Sequence, residues 1–250
     1  MAVAVALAGL SGCGGGGSAG TGGSGAGSTV TVFAAASLTE SFTRLGRDFE
    51  TANRGTTVVF NFAGSAALAA QINQGAPADV FASAATRNMA TVTGAGNADG
   101  EPTVFVRNQL VIAVPKGNPR GVAGLADLAR PELKVALCAE QVPCGAAART
   151  ALDAASVALT PVTLEQDVRG ALSKVRLGEV DAALVYRTDA LAATADVMAV
   201  EFPESARAVN DYPIVVLRDA PNPDGARAFV AYVRSERGRA VLTGAGFQAP

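Results

Sequence analysis

The chain reads as a two-lobed α/β protein, and three observations carry this. Apolar, β-branched runs alternate with helical patterns, as in parallel sheets flanked by helices. The alternation comes in two series, one starting at Thr29 and the other at Leu133. Two apolar runs, 108–115 (NQLVIAVP) and 212–217 (YPIVVL), separate the series, one leading out of the first lobe and one leading back. Each lobe is therefore expected to hold a mixed, mostly parallel sheet, with the two crossover strands as the hinge.

The first series opens at 29–33, an alternating strand. Ala34, Ala35, Ala36 and Ser37 follow, and then Leu38, Phe42, Leu45 and Phe49 recur at helical spacing. A strand thus ends in a small-residue turn from which a helix opens directly. The first amides of a helix lack internal partners and carry partial positive charge. A turn of Ala and Ser leaves them uncovered, a potential anion site; the plain alternative is that Ser37 caps the helix. Residues 56–63 (TTVVFNFA) form the next strand, and Gly64-Ser65 repeats the device before a helix over 66–73. After Gly75-Ala76-Pro77 come a short strand at 78–82 and a helix at 86–92. Residues 94–100 read as a loop.

The long strand 108–115 closes at Lys116-Gly117-Asn118-Pro119. The second series then places a helical turn at 124–129, a strand at 133–138, helices at 145–155 and 167–177, a strand at 182–186, a helix at 188–193 and a strand at 197–201. Strand 212–217 and helices 223–234 and 237–243 follow. Cys144 and Gly145 open one helix after Pro143, and Asp167 caps another, with Arg169 on a solvated face. Tyr186 ends a strand, where its phenol either reaches into a cleft or stays half-buried at the sheet. Ligands in such folds lie at the strand C-termini. Asp181 and Asp189 read as solvated caps.

With 250 residues, 49% of them hydrophobic and 17% charged, the chain can bury two cores. A net charge of −2 argues against a nucleic-acid surface. Histidine is absent, which removes Ser-His-Asp and Cys-His catalysis and every His-based metal site. No pairing of a nucleophile with a base is visible, so the expectation is a non-enzyme without a cofactor.

Residues 1–10 are apolar and lead to Ser11-Gly12-Cys13, which resembles a bacterial lipoprotein signal (1–12) cleaved before a lipidated Cys13. No Lys or Arg precedes the apolar run, so the start is expected upstream of Met1. Residues 14–28 hold only Gly, Ser, Ala and Thr, the composition of a flexible tether spanning roughly 20 Å. A lipid on Cys13 and a leash over 13–28 would hold the domain at the outer face of the cytoplasmic membrane, in the cell envelope. In that compartment Cys138 and Cys144, with Ala139 to Pro143 between them, are expected to form a structural disulfide, with free thiols the open alternative.

Seven stretches together resemble the molybdate-binding proteins of bacterial ABC importers, a class II periplasmic-binding fold. They are VFAAASLTE (32–40), FAGSAALAAQI (62–72), GAPADVFASA (75–84), LVIAVPKGNP (110–119), VPCGAAA (142–148), EQDVRGALSKVRLGEVDAALVYRTDA (165–190) and YPIVVL (212–217). The resemblance implies one lobe of 29–110 with 214–250 and another of 111–213. It implies a monomer that holds molybdate, or tungstate, between the lobes and hands it to a membrane permease and its ATPase; sulfate or another tetrahedral oxyanion, or a surface oxyanion sensor, is the alternative. Carried over position by position, the site residues are Ser37 and Ser65 through hydroxyls and nearby amides, Cys144 and Val168 through backbone amides, and Tyr186 through its hydroxyl. Molybdenum would be met as the oxyanion, with no direct metal-cation ligand. The chemistry agrees, because a tetrahedral dianion offers only acceptors and donors alone suffice to hold it. Phosphate near neutral pH keeps a proton and would want an acceptor; Asp79 is the nearest and is expected to be structural.

Overall fold

The computed structural model describes residues 28–250. The expectations for the signal, Cys13 and the tether fall on residues outside that range, apart from Ser28. Residue 28 already belongs to β1 (Ser28–Ala35), which runs through a 3-10 turn (Ala36–Leu38) into α1 (Thr39–Ala52). Then come β2 (Thr56–Ala63), α2 (Ser65–Asn73), β3 (Val80–Ala82), α3 (Thr86–Gly94) and β4 (Ala98–Asn108). The chain continues with β5 (Leu110–Pro115), β6 (Val135–Cys138), α4 (Pro143–Ala155), β7 (Thr163–Glu165) and α5 (Val168–Arg176). It ends with β8 (Ala182–Tyr186), α6 (Arg187–Ala192), β9 (Val197–Val200), β10 (Asn210–Leu217), α7 (Pro223–Arg234) and α8 (Glu236–Gly244).

The strands form two five-stranded sheets, ordered β2-β1-β3-β10-β4 and β7-β6-β8-β5-β9. In the first, β1 runs parallel to β2 and β3, and β10 is antiparallel to both its neighbours. In the second, β6 runs parallel to β7 and β8, and β5 is antiparallel to both its neighbours. The two sheets therefore follow one plan: three parallel strands, one reversed strand, and an edge strand. This is the two-lobed α/β architecture that the alternation predicts.

Period-two alternation decides which side chains meet which helices. Val30, Val32 and Ala34 of β1 join a core with Phe42, Leu45 and Phe49 of α1 and Phe229 of α7. Phe33, between them, points to the opposite face, against Leu68 and Ile72 of α2 and Met89 of α3. The second lobe has one core, built mostly of Val, Leu and Ala.

Three features depart from the sequence expectations. Residues 94–100 are not all loop, because β4 starts at Ala98. Its sequence carries Gly100 and Pro102, which disfavour strands, yet it is an edge strand whose neighbour in the sheet is β10, where a proline is tolerated. The run 108–115 is not one strand: it breaks at Gln109, and β4 ends in the first sheet where β5 begins the second. The three-residue β7 is too short to show a period. The chain returns to the first sheet at β10, where Asn210 pairs with Asn108, so the two crossings lie side by side.

Candidate functional site

The helix-opening turns at Ser37, Ser65, Cys144 and Val168 meet at the interface between the lobes. In the first lobe Ser37 occupies the 3-10 turn between β1 and α1, and Ser65 is the first residue of α2. Small residues let both helices start immediately after their strands, which keeps the hydroxyls at the sheet's C-terminal edge. In the second lobe Pro143 opens α4, where its missing N–H costs nothing, and Cys144 follows. Asp167 caps α5 by accepting from Gly170 N at 3.0 Å, which leaves the Val168 amide outside that bond. Tyr186 ends β8 and is buried.

All five expected residues line one cleft. Ala35, Ala36, Gly64, Ala84, Val142, Pro143 and Asp167 complete the lining. No lysine or arginine is among them. Asp167 is the single charged residue on the wall, and its Oδ1 is engaged by the helix it caps. The wall therefore offers hydroxyl and amide donors with no countercharge, a chemistry that suits a group made only of acceptors.

The hydroxyls are held from behind. Ser37 Oγ lies 2.9 Å from Tyr212 Oη, and Ser65 Oγ accepts from Ala84 N at 3.0 Å. Tyr186 Oη is fully buried without a hydrogen-bond partner. Burial, with the neighbouring Tyr212 and the carboxyl of Asp189 adding, pushes the Tyr186 phenol well above the ordinary tyrosine range. Its proton is thus retained at any physiological pH.

The disulfide joins Cys138 and Cys144, with the two Cα atoms 5.7 Å apart. It ties the end of β6 to the first turn of α4. Gly145 fits beside it because a side chain there would collide with the Ala139 carbonyl.

The lobes are closed on each other. Arg169 of α5 pairs with Glu40 of α1, and Arg87 of α3 donates to the carbonyls of Glu140 and Val142. Arg169, expected on a solvated face, thus reaches the opposite lobe. Gly64 lies so near Gln166 that an added Cβ would fall inside the van der Waals radius of its carbonyl oxygen.

Two acidic residues separate from each other. Asp79 is buried and structural, as expected: its carboxylate accepts from Thr31 N and Asn222 N, each at 2.6 Å. Asp189, expected as a solvated cap, is 2% exposed, and neither oxygen has a partner. It lies on the inner side of the short helix α6, and burial, with the charge of Glu40 adding and Arg169 opposing, raises its pKa to about 8. Asp181 stays partly exposed and accepts from Lys134 N and Arg120 Nε, each at 2.9 Å. The layer behind the cleft, Tyr212 and Asn108, is not marked in the sequence: nothing local to YPIVVL (212–217) shows that the tyrosine hydroxyl is buried.

A family model described as bacterial extracellular solute-binding protein matches residues 30–248. The molybdate-binding protein ModA of Mycobacterium tuberculosis is 47% identical over 222 residues, covering 89% of this chain and 85% of the relative. Its namesake in Haemophilus influenzae is 34% identical over 232 residues, covering 88% of this chain and 90% of the relative. The periplasmic molybdate-binding protein of Azotobacter vinelandii matches in structure with a TM-score of 0.77, over 88% of this chain and 99% of that one, at 21% identity.

Proposed function

The chain belongs to the bacterial extracellular solute-binding protein family, and from that premise we propose that it captures molybdate, or tungstate, between its lobes and passes it to an ABC permease and its ATPase. The observation that carries this is the cleft itself: Ser37 and Ser65 from one lobe and Cys144, Val168 and Tyr186 from the other converge on a wall without a cation. The relatives named for molybdate binding support the choice of oxyanion.

In this reading the ligand's oxygens accept from the two serine hydroxyls, the Tyr186 hydroxyl and the amides that open the 3-10 turn, α2, α4 and α5. Contacts from both lobes stabilise the closed form over the open one, so binding shifts that equilibrium. The lobes, expected as 29–110 with 214–250 and 111–213, move as two bodies whose limits follow the sheets, with β5 from Leu110 in the second and β10 from Asn210 in the first. The protein works as a monomeric carrier that releases its ligand unchanged, without a cofactor. A lipid on Cys13 and the tether after it hold it at the outer face of the cytoplasmic membrane, and labelling with a radioactive fatty acid, lost in Cys13→Ala, tests that placement.

Isothermal titration with molybdate, tungstate, sulfate and inorganic phosphate tests the ligand. Molybdate and tungstate should bind tightly and phosphate weakly; sulfate binding as tight as molybdate overturns the named ligand. Ser37→Ala should weaken molybdate by about 1.5–3 kcal/mol, the range for hydrogen bonds to charged groups. Wild-type affinity in the Ser37→Ala, Ser65→Ala double variant removes the site.

A further inference from the structure

Behind the cleft, a chain of buried polar side chains runs from the second lobe to Ser37. Asn108, at the end of β4 where the chain crosses between lobes, is 0% exposed. Its Oδ1 accepts from Gln109 N at 3.0 Å, which turns Nδ2 the other way. Nδ2 donates to Thr188 Oγ1 at 2.8 Å and faces Tyr212 Oη at 3.5 Å. Tyr212, also 0% exposed, has its remaining hydrogen bond to Ser37 Oγ.

The direction of this chain follows from what each group can do. An amide nitrogen only donates, so Tyr212 Oη cannot give its proton to Asn108. Tyr186 packs against Tyr212 with ring centroids 5.9 Å apart, and no hydrogen bond of normal length and angle joins the two hydroxyls. A buried phenol proton needs an acceptor, and Ser37 Oγ is the one in reach. Ser37 therefore accepts from Tyr212, and its own proton is left for the cleft. Burial pushes the Tyr212 phenol up, so its proton stays in place.

We infer that Tyr212, set by Asn108, is a positioning residue that makes the Ser37 hydroxyl a donor into the cleft, and so disfavours oxyanions that carry a proton of their own. This rests on the proposed function. An anion such as hydrogenphosphate must place its O–H on an acceptor, and Ser37, whose oxygen already accepts from Tyr212 and keeps a single free lone pair, turns its proton to the cleft instead. Ser65 is arranged alike, since its oxygen already accepts from Ala84 N.

Tyr212→Phe tests this, because it keeps the ring packed between Tyr186 and Phe247 and removes only the hydroxyl. Affinities for molybdate, and for inorganic phosphate by competition at pH 7.5, are measured in wild type, Tyr212→Phe, Ser37→Ala and the double variant, with melting curves for each. Tyr212→Phe should weaken molybdate about tenfold, in line with one hydrogen bond to a charged acceptor, and narrow the molybdate-to-phosphate ratio. It should add nothing on top of Ser37→Ala, because Tyr212 acts only through that hydroxyl. An unchanged affinity ratio, or the same loss in both backgrounds, overturns the inference. If Tyr212→Phe does not fold, Asn108→Asp replaces it. The carboxylate offers Tyr212 an acceptor and turns the chain round, so molybdate should weaken more than phosphate; equal weakening overturns the inference. A wild-type protein that binds no molybdate defeats the proposed function instead.

Discussion

The first lobe meets the cleft with two serine side chains, Ser37 and Ser65, besides the turns that carry them, whereas the second meets it with the opening turns of α4 and α5 and with one side chain, Tyr186. The sheets behind them have the same strand plan, so the difference lies in how each lobe aims its donors. A hydroxyl rotates, and each serine has a second group that takes up its oxygen: Tyr212 for Ser37, the Ala84 amide for Ser65. An amide in a helix turn is aimed by the backbone and needs no such partner. Their interiors differ too. All phenylalanines but Phe202 lie in the first lobe, where Phe42, Phe49 and Phe60 each meet Phe229 edge to face. The second lobe is mostly aliphatic and adds the disulfide. Even the buried acids differ, with Asp79 bonded by two amides in one lobe and Asp189 unpartnered in the other.

The acids provide the largest expected effect. Asp189 has a folded-state pKa of about 8 against an ordinary value of 3.8. The folded protein therefore holds a proton that the unfolded chain releases between those values. Stability is full below about pH 4 in this respect and falls as pH rises through about 8, on the order of a few kcal/mol. Asn at position 189 removes the ionisation, so urea denaturation should show Asp189→Asn gaining on wild type from pH 5 to pH 8.5. Parallel curves would mean that Asp189 finds partners in solution, and would erase this contrast between the lobes.

Gly64→Ala comes next. Gly64 has φ of −59°, which alanine adopts freely, so the first lobe should be unharmed. The methyl meets the Gln166 carbonyl only when the lobes close. Molybdate binding should weaken by about 2–3 kcal/mol, as for overpacking. Melting temperature without ligand should hold, and small-angle scattering with ligand should keep the larger radius of the open form.

The contrast between side-chain and backbone donors is sharpened by a pair of variants. Ser65→Ala should lose about 1.5–3 kcal/mol of molybdate binding. Replacing both Cys138 and Cys144 by alanine should lower stability by about 2 kcal/mol through the lost cross-link, yet change affinity by less than about threefold, since an amide remains. A large affinity loss in the cysteine variant would show that the disulfide, rather than the helix, aims the Cys144 amide.

Arg169→Ala gives the smallest effect. The Glu40–Arg169 pair is about half exposed on both sides, so its loss should cost under about 1 kcal/mol of affinity. The loss should shrink further in 0.5 M salt.

Much of this molecule is written locally. The strands at 56–63 and 182–186 and the helix at 223–234 have the bounds their patterns predict, because their periods are long and their ends are marked by Gly, Pro or a cap. The turns at Ser37 and Ser65 are visible for the same reason, and the fold brings them to one cleft with Cys144, Val168 and Tyr186. What is hidden depends on distant neighbours. The start of β4 reads as a loop because its Gly100 and the following Pro102 suit only an edge, and the edge is defined by β10, about a hundred residues later. Tyr212 looks like an ordinary strand aromatic until Ser37, 175 positions away, is laid against it. Asp189 has the local look of a helix-capping acid, and only the packing of α6 removes it from water.

A cleft without a cation has a kinetic consequence. The protein carries a net charge of −2, and the cleft wall holds no lysine or arginine. A dianion approaching it is not drawn in by a positive field, so its arrival is unsteered and nearly indifferent to ionic strength. Tight binding must then come from slow departure. The residence time is set by how rarely the lobes part, and salt reaches it through exposed pairs such as Glu40–Arg169 that bridge them.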